Sequence, residues 1–87
     1  MVSEKVTILN ETGLHARPAA LFVSTAAKFK SELLLHKGEK QANAKSILSV
    51  LALGVTKGTE ITISANGPDE KEALSKLIEL IKSKFNE

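Results

Sequence analysis

From Glu4 to Leu9 polar and apolar residues nearly alternate, with Val6 and Ile8 on one side and Lys5 and Thr7 on the other. That period of two is the pattern of a half-buried strand. Asn10-Glu11-Thr12-Gly13 is turn-forming, and Pro18 just beyond it suits a first helical turn, where its missing N–H costs nothing. A helix is therefore predicted from about Ala16. Its apolar stripe is Ala19, Phe22, Val23, Ala26 and Phe29, with Ser24 and Lys28 on the opposite side.

Leu33 and Leu35 alternate with Glu32, Leu34 and His36, and Lys37-Gly38-Glu39-Lys40 separates them from a short polar strand through Gln41, Ala42 and Asn43. The two read as a hairpin. Ser46 is a suitable N-cap for a short helix from Ile47 to Leu53, and Gly54 a suitable left-handed residue just past its end. Ile61, Ile63 and Ala65 alternate with Glu60, Thr62 and Ser64, which predicts a last strand with a polar outer face. Asp69 and Glu72 then have the spacing of a capping box. The final helix has a buried stripe of Leu74, Leu77, Ile78, Ile81 and Phe85, and Lys82 and Lys84 in its last turn. The order β-α-β-β-α-β-α gives an α+β open-faced sandwich, helices on one face and a polar surface on the other. Periodicity does not supply strand order, and a ferredoxin-like arrangement stays open on this pattern.

With 87 residues and no linker, repeat or low-complexity stretch, one compact domain over 1–87 is expected. A core this small leaves little room for a deep cleft. The absence of cysteine removes disulfides and thiolate chemistry and fits a reducing cytoplasm. The N-terminal residues resemble neither an export leader nor a membrane span, so no membrane insertion is expected. A net charge of +2, scattered basic residues, no Trp or Tyr and three Phe argue against direct nucleic-acid binding.

Neither histidine has neighbours at metal-ligand spacing, and no cofactor or metal is expected. His36 reads as a solvated side chain on the polar face of a strand. His15 follows Gly13-Leu14 and immediately precedes a helix, whose free N–H groups and positive dipole end would receive a phosphate on the ring. A neutral imidazole there can act as a nucleophile. Arg17, two residues on, could counter the phosphate charge or pair with acidic groups of a partner. Spacing alone also allows that His15 merely caps the helix and Arg17 is a surface charge, which is the commoner case. The short helix is apolar nearly all round. Val50 and Leu53 share one face, leaving Ile47, Leu48 and Leu51 either exposed as a docking patch or buried under a neighbouring helix, with spacing favouring neither.

Gly13-Leu14-His15-Ala16-Arg17-Pro18-Ala19 resembles the active-site signature of the HPr family, phosphocarriers of the bacterial phosphoenolpyruvate:sugar phosphotransferase system. Lys45-Ser46-Ile47 followed by Gly54 resembles the regulatory-serine region of the same family, and length, element order and the His15 to Ser46 spacing agree over the whole chain. The resemblance implies a four-stranded antiparallel sheet with three helices on one face, in a cytoplasmic monomer. It implies a carrier rather than an enzyme: phospho-enzyme I would donate to Nδ1 of His15 with help from Arg17, and sugar-specific IIA proteins or domains would accept. Ala20, Ser24, Ile47, Leu48 and Leu51 would form the docking surface. Ser46 would be a regulatory phosphorylation site for an HPr kinase/phosphorylase, its product acting with a catabolite control transcription factor in carbon catabolite repression. His15 argues against the paralogue Crh, which resembles HPr but lacks this histidine. The rival reading is a regulatory binding module of carbon or nitrogen metabolism that leaves His15 idle and takes no part in sugar transport.

Overall fold

The computed structural model describes residues 1–83. Lys84 and Phe85, assigned above to the last turn and stripe of the final helix, lie outside them. Seven elements follow in the order β1 (Val2–Thr7), α1 (Ala16–Ala26), β2 (Glu32–Lys37), β3 (Lys40–Asn43), α2 (Ile47–Ala52), β4 (Glu60–Asn66) and α3 (Glu70–Lys82). The strands form one sheet in the order β1-β4-β2-β3, and every neighbouring pair is antiparallel. β1 and β2, each antiparallel to β4, run parallel to one another with β4 between them, so α1 joins them in a split β-α-β unit, and it is the interior place of β4, an edge strand in the ferredoxin-like sheet, that excludes that arrangement.

Alternation sorts the sheet's two faces. Val6, Leu33, Leu35, Ala42, Ile61, Ile63 and Ala65 are buried on the helix side, where they meet Ala19, Phe22 and Ala26 of α1, Val50 of α2 and Ala73, Leu74, Leu77, Ile78 and Ile81 of α3. The predicted stripes match these helices, with Val23 and Phe29 only half-buried. β1 begins two residues before the predicted Glu4 and stops before Ile8, because its ladder to β4 runs from Val2↔Ala65 to Thr7↔Glu60. Ile8 is nevertheless fully buried, since its backbone is tied to the loop before β4: its N–H donates to Thr59 O at 2.9 Å and its carbonyl accepts from Gly58 N–H at 2.8 Å.

Asp69 does not close the predicted capping box with Glu72. Its carboxylate makes no cap hydrogen bond to α3 and instead accepts from the Lys30 N–H (2.9 Å), the Ser31 N–H (2.9 Å) and the Ser31 hydroxyl (2.5 Å), binding the α1–β2 connection to the start of α3. These bonds, the Ser31 hydroxyl foremost, hold its carboxyl below the usual range against a smaller opposing effect of desolvation. Glu70 reaches back instead, accepting from the Gly67 N–H at 3.2 Å and meeting the N-terminal ammonium at 3.5 Å, and it too is held low, chiefly by the Gly67 bond.

Candidate functional site

His15 is the N-cap of α1, its backbone extended at φ −89° and ψ −170° and its carbonyl accepting the first helical bond from Ala19 N–H at 2.8 Å. The loop that delivers it is pinned from both ends. Asn10, 1% exposed, donates from Nδ2 to the Gly13 carbonyl at 2.7 Å and to the Thr12 hydroxyl at 3.3 Å, and its carbonyl accepts from Gly13 N–H at 3.1 Å. Leu14 is buried and donates its N–H to Val55 O at 3.0 Å. Gly13 has φ +61° and lies so close to the same segment that a Cβ would stand 2.5 Å from Val55 O. His15 thus leaves a braced turn whose other wall is the α2–β4 connection.

The imidazole is exposed and makes no cap bond to the helix. Among the described residues nothing accepts from the N–H groups of Ala16 or Arg17, and Pro18 has no N–H to offer. Two free amides and the positive helix end therefore accompany an unengaged imidazole. Arg17 is exposed and pairs with no described carboxylate. Unengaged amides, a helix N-terminus and a cation next to an exposed imidazole are groups suited in kind to an anion such as a phosphate. His36 is not freely solvated as expected: it is half-buried on the outer sheet face, with Nε2 3.1 Å from Ser64 Oγ.

Ser46 caps α2, its hydroxyl accepting from Ser49 N–H across a long 3.4 Å. Val50 and Leu53 are buried, whereas Ile47 and Leu51 are each 37% exposed and Leu48 78%. The choice left open by spacing falls to exposure, because α2 lies across α1 and β3 by one face only. On α1, Arg17, Ala20 and Ser24 recur at helical spacing and all three are exposed, and α1 packs on α2. The structure brings His15 and the α2 patch onto adjoining helices, linked by the Leu14–Val55 bond. Sequence reasoning missed Asn10, Val55 and Lys37, whose Nζ donates to Leu53 O at 3.1 Å and Gly54 O at 3.0 Å. Only Asn10 had a local signal, its place in a turn with glycine.

The family model described as PTS HPr component phosphorylation site matches residues 2–83. HPr-like protein Crh of Bacillus subtilis (strain 168) is 53% identical over 77 residues, 88% of this chain and 91% of that protein. Phosphocarrier protein HPr of Treponema pallidum (strain Nichols) is 44% identical over 87 residues, 100% of this chain and 99% of that one. The crystal structure of HPr-C-His from Thermoanaerobacter tengcongensis superposes with a TM-score of 0.98 at 52% identity, covering 100% of this chain and 98% of its own. An HPr dimer from the same organism (TM-score 0.81, 52% identity, 100% of each chain) and a Bacillus subtilis Crh described as a swapped dimer (TM-score 0.77, 49% identity, 97% of each) are also similar. Dimeric relatives fit poorly with the expectation of a monomer. Among the described residues no helix is long and apolar enough to cross a membrane.

Proposed function

The chain belongs to the HPr family of the phosphotransferase system, and from that premise we propose that it accepts a phosphoryl group on His15 from phospho-enzyme I and passes it to sugar-specific IIA proteins or domains. The observation that carries this reading is the exposed His15 ring at the N-cap of α1, followed by two unengaged amides and the free cation of Arg17. In the transfer, the Nδ1 lone pair of a neutral ring forms the new N–P bond while the donor's bond to phosphorus breaks and its electron pair returns to the donor. The Nε2 proton stays in place. Charge on the three phosphoryl oxygens is met by the Ala16 and Arg17 N–H groups and the guanidinium. Onward transfer is the same exchange with His15 as the leaving group, so the chain carries the group and turns nothing over by itself.

In this reading residues 1–87 act as one domain in the cytoplasm. Ala20, Ser24, Ile47, Leu48 and Leu51 dock the partners, and Ser46 takes a second phosphate from an HPr kinase/phosphorylase, the product then binding a catabolite control transcription factor. The identity to Crh favours a second reading, a regulator of catabolite repression without transfer at His15. Incubation with enzyme I and labelled phosphoenolpyruvate separates the two. The carrier gains an acid-labile label that His15→Ala removes while circular dichroism stays unchanged. Label persisting in His15→Ala, on His36 for example, refutes the assignment.

A further inference from the structure

We infer that Lys37 is a positioning residue for phosphoryl transfer, holding the α2–β4 connection against which the His15 loop is built; the catalytic half of this inference rests on the carrier reading above. Lys37 ends β2 at the parity of the buried Leu33 and Leu35, so its side chain starts on the helix face of the sheet. It is half-buried, and its ammonium reaches the end of α2, donating to Leu53 O at 3.1 Å and Gly54 O at 3.0 Å. No backbone N–H among the described residues takes either carbonyl. Both belong to the negative end of the helix, where a cation is the fitting partner.

The two bonds fix the peptide units on either side of Gly54, and the next carbonyl, that of Val55, accepts the Leu14 N–H one residue before His15. Lys37 is therefore separated from the acceptor histidine by one short rigid relay: ammonium, the 53–55 backbone, Leu14, His15. It touches no reacting atom, and its effect comes from keeping the ring and the Ala16 and Arg17 amides in register, where a shift of about 1 Å costs up to a hundredfold in rate.

Lys37→Met keeps the apolar stem and removes the three donors, and Lys37→Arg restores donors to the same carbonyls. Two measurements test the inference, and they fail separately. Amide hydrogen exchange at Leu14 should accelerate in Lys37→Met and recover in Lys37→Arg, whatever the protein's function; unchanged exchange overturns the relay. In steady-state transfer from phospho-enzyme I, Lys37→Met should lower kcat on the order of tenfold with KM little altered, and Lys37→Arg should regain most of it. A raised KM at unchanged kcat would instead make Lys37 a docking cation and overturn the positioning role. Failure of the wild-type chain to take label refutes the carrier reading, while the exchange arm still decides whether the clamp exists.

Discussion

Gly13 and Gly54 stand on the two sides of the junction that supports His15, and replacing each by alanine separates backbone strain from crowding. Their backbones are nearly alike, at φ +61° and φ +65°. Their surroundings are not. A Cβ at Gly54 meets nothing within 4 Å, whereas one at Gly13 would stand 2.5 Å from Val55 O, 2.6 Å from Thr56 Cα and 2.9 Å from Thr56 C, all backbone atoms. The left-handed conformation costs an alanine about 1–2 kcal/mol, of which about 0.4–1 is recovered through a stiffer unfolded chain. Gly54→Ala should then lose about 1 kcal/mol net, or about 5 °C in Tm for a domain of this size. Gly13→Ala adds about 1–3 kcal/mol of overpacking and about 1 kcal/mol for the strained Leu14–Val55 bond. Its loss of about 3–5 kcal/mol is a large share of the whole stability of a small domain and should lower Tm by about 15–25 °C. Thermal unfolding followed by far-ultraviolet circular dichroism, with urea midpoints as a second measure, provides the comparison. If the two variants melt within about 3 °C of one another, the close approach at Gly13 is not what holds the loop.

Leu48→Asp, at a position 78% exposed, should change stability by no more than about 0.5 kcal/mol while weakening binding to enzyme I about tenfold or more; a large fall in Tm would show that Leu48 is core. Ser46→Asp retains a good N-cap and so should fold normally, yet accept phosphoryl groups more slowly at low ionic strength and recover with added salt. Wild-type rates for it at low salt would disprove an electrostatic switch. Asp69→Asn bears on pH: the carboxyl is held below its ordinary value, so its stabilisation is complete above about pH 4 and disappears as pH falls through the lower folded value. The gap between wild type and Asp69→Asn in urea midpoint should therefore be full at neutral pH and shrink in acid, and a gap that does not change with pH would count against the Ser31–Asp69 link.

Signals confined to one helix turn or one strand were legible in the chain. Ser46 as cap, Gly54 past the end of α2, the stripe of α3 as far as Ile81 and the inward alternation of Ile61, Ile63 and Ala65 in β4 are local statements, and each holds. His15 was legible as the residue before a helix, because Pro18 and the preceding turn mark that boundary. What escaped depends on residues distant in the chain. Asp69 has the spacing of a cap, but Ser31, 38 positions away, offers it two donors. Ile8 looked like strand because it continues the alternation, yet its backbone pairs with the Gly58–Thr59 loop beyond the end of the β1–β4 ladder. Lys37 read as part of a turn, since nothing nearby shows that two carbonyls wait 16 and 17 positions later. His36 read as solvated because its partner Ser64 lies 28 positions further along.

The place of β4 bears on when the support of the His15 loop is completed. It is the last strand in the chain, yet it lies between β1 and β2, which share no hydrogen bond with each other. Pairing Val2 with Ala65 closes nearly three-quarters of the chain, a contact that is slow to form because so much of the chain must be ordered first. The wall opposite Gly13 and Leu14 is the stretch leading into that same strand. A nascent chain released only as far as α2 holds His15 and Arg17 but not the backbone that braces them. On the proposed carrier reading the histidine should become competent only once that strand is in place, so phosphoryl acceptance during refolding should report completion of the sheet rather than the earlier appearance of helix.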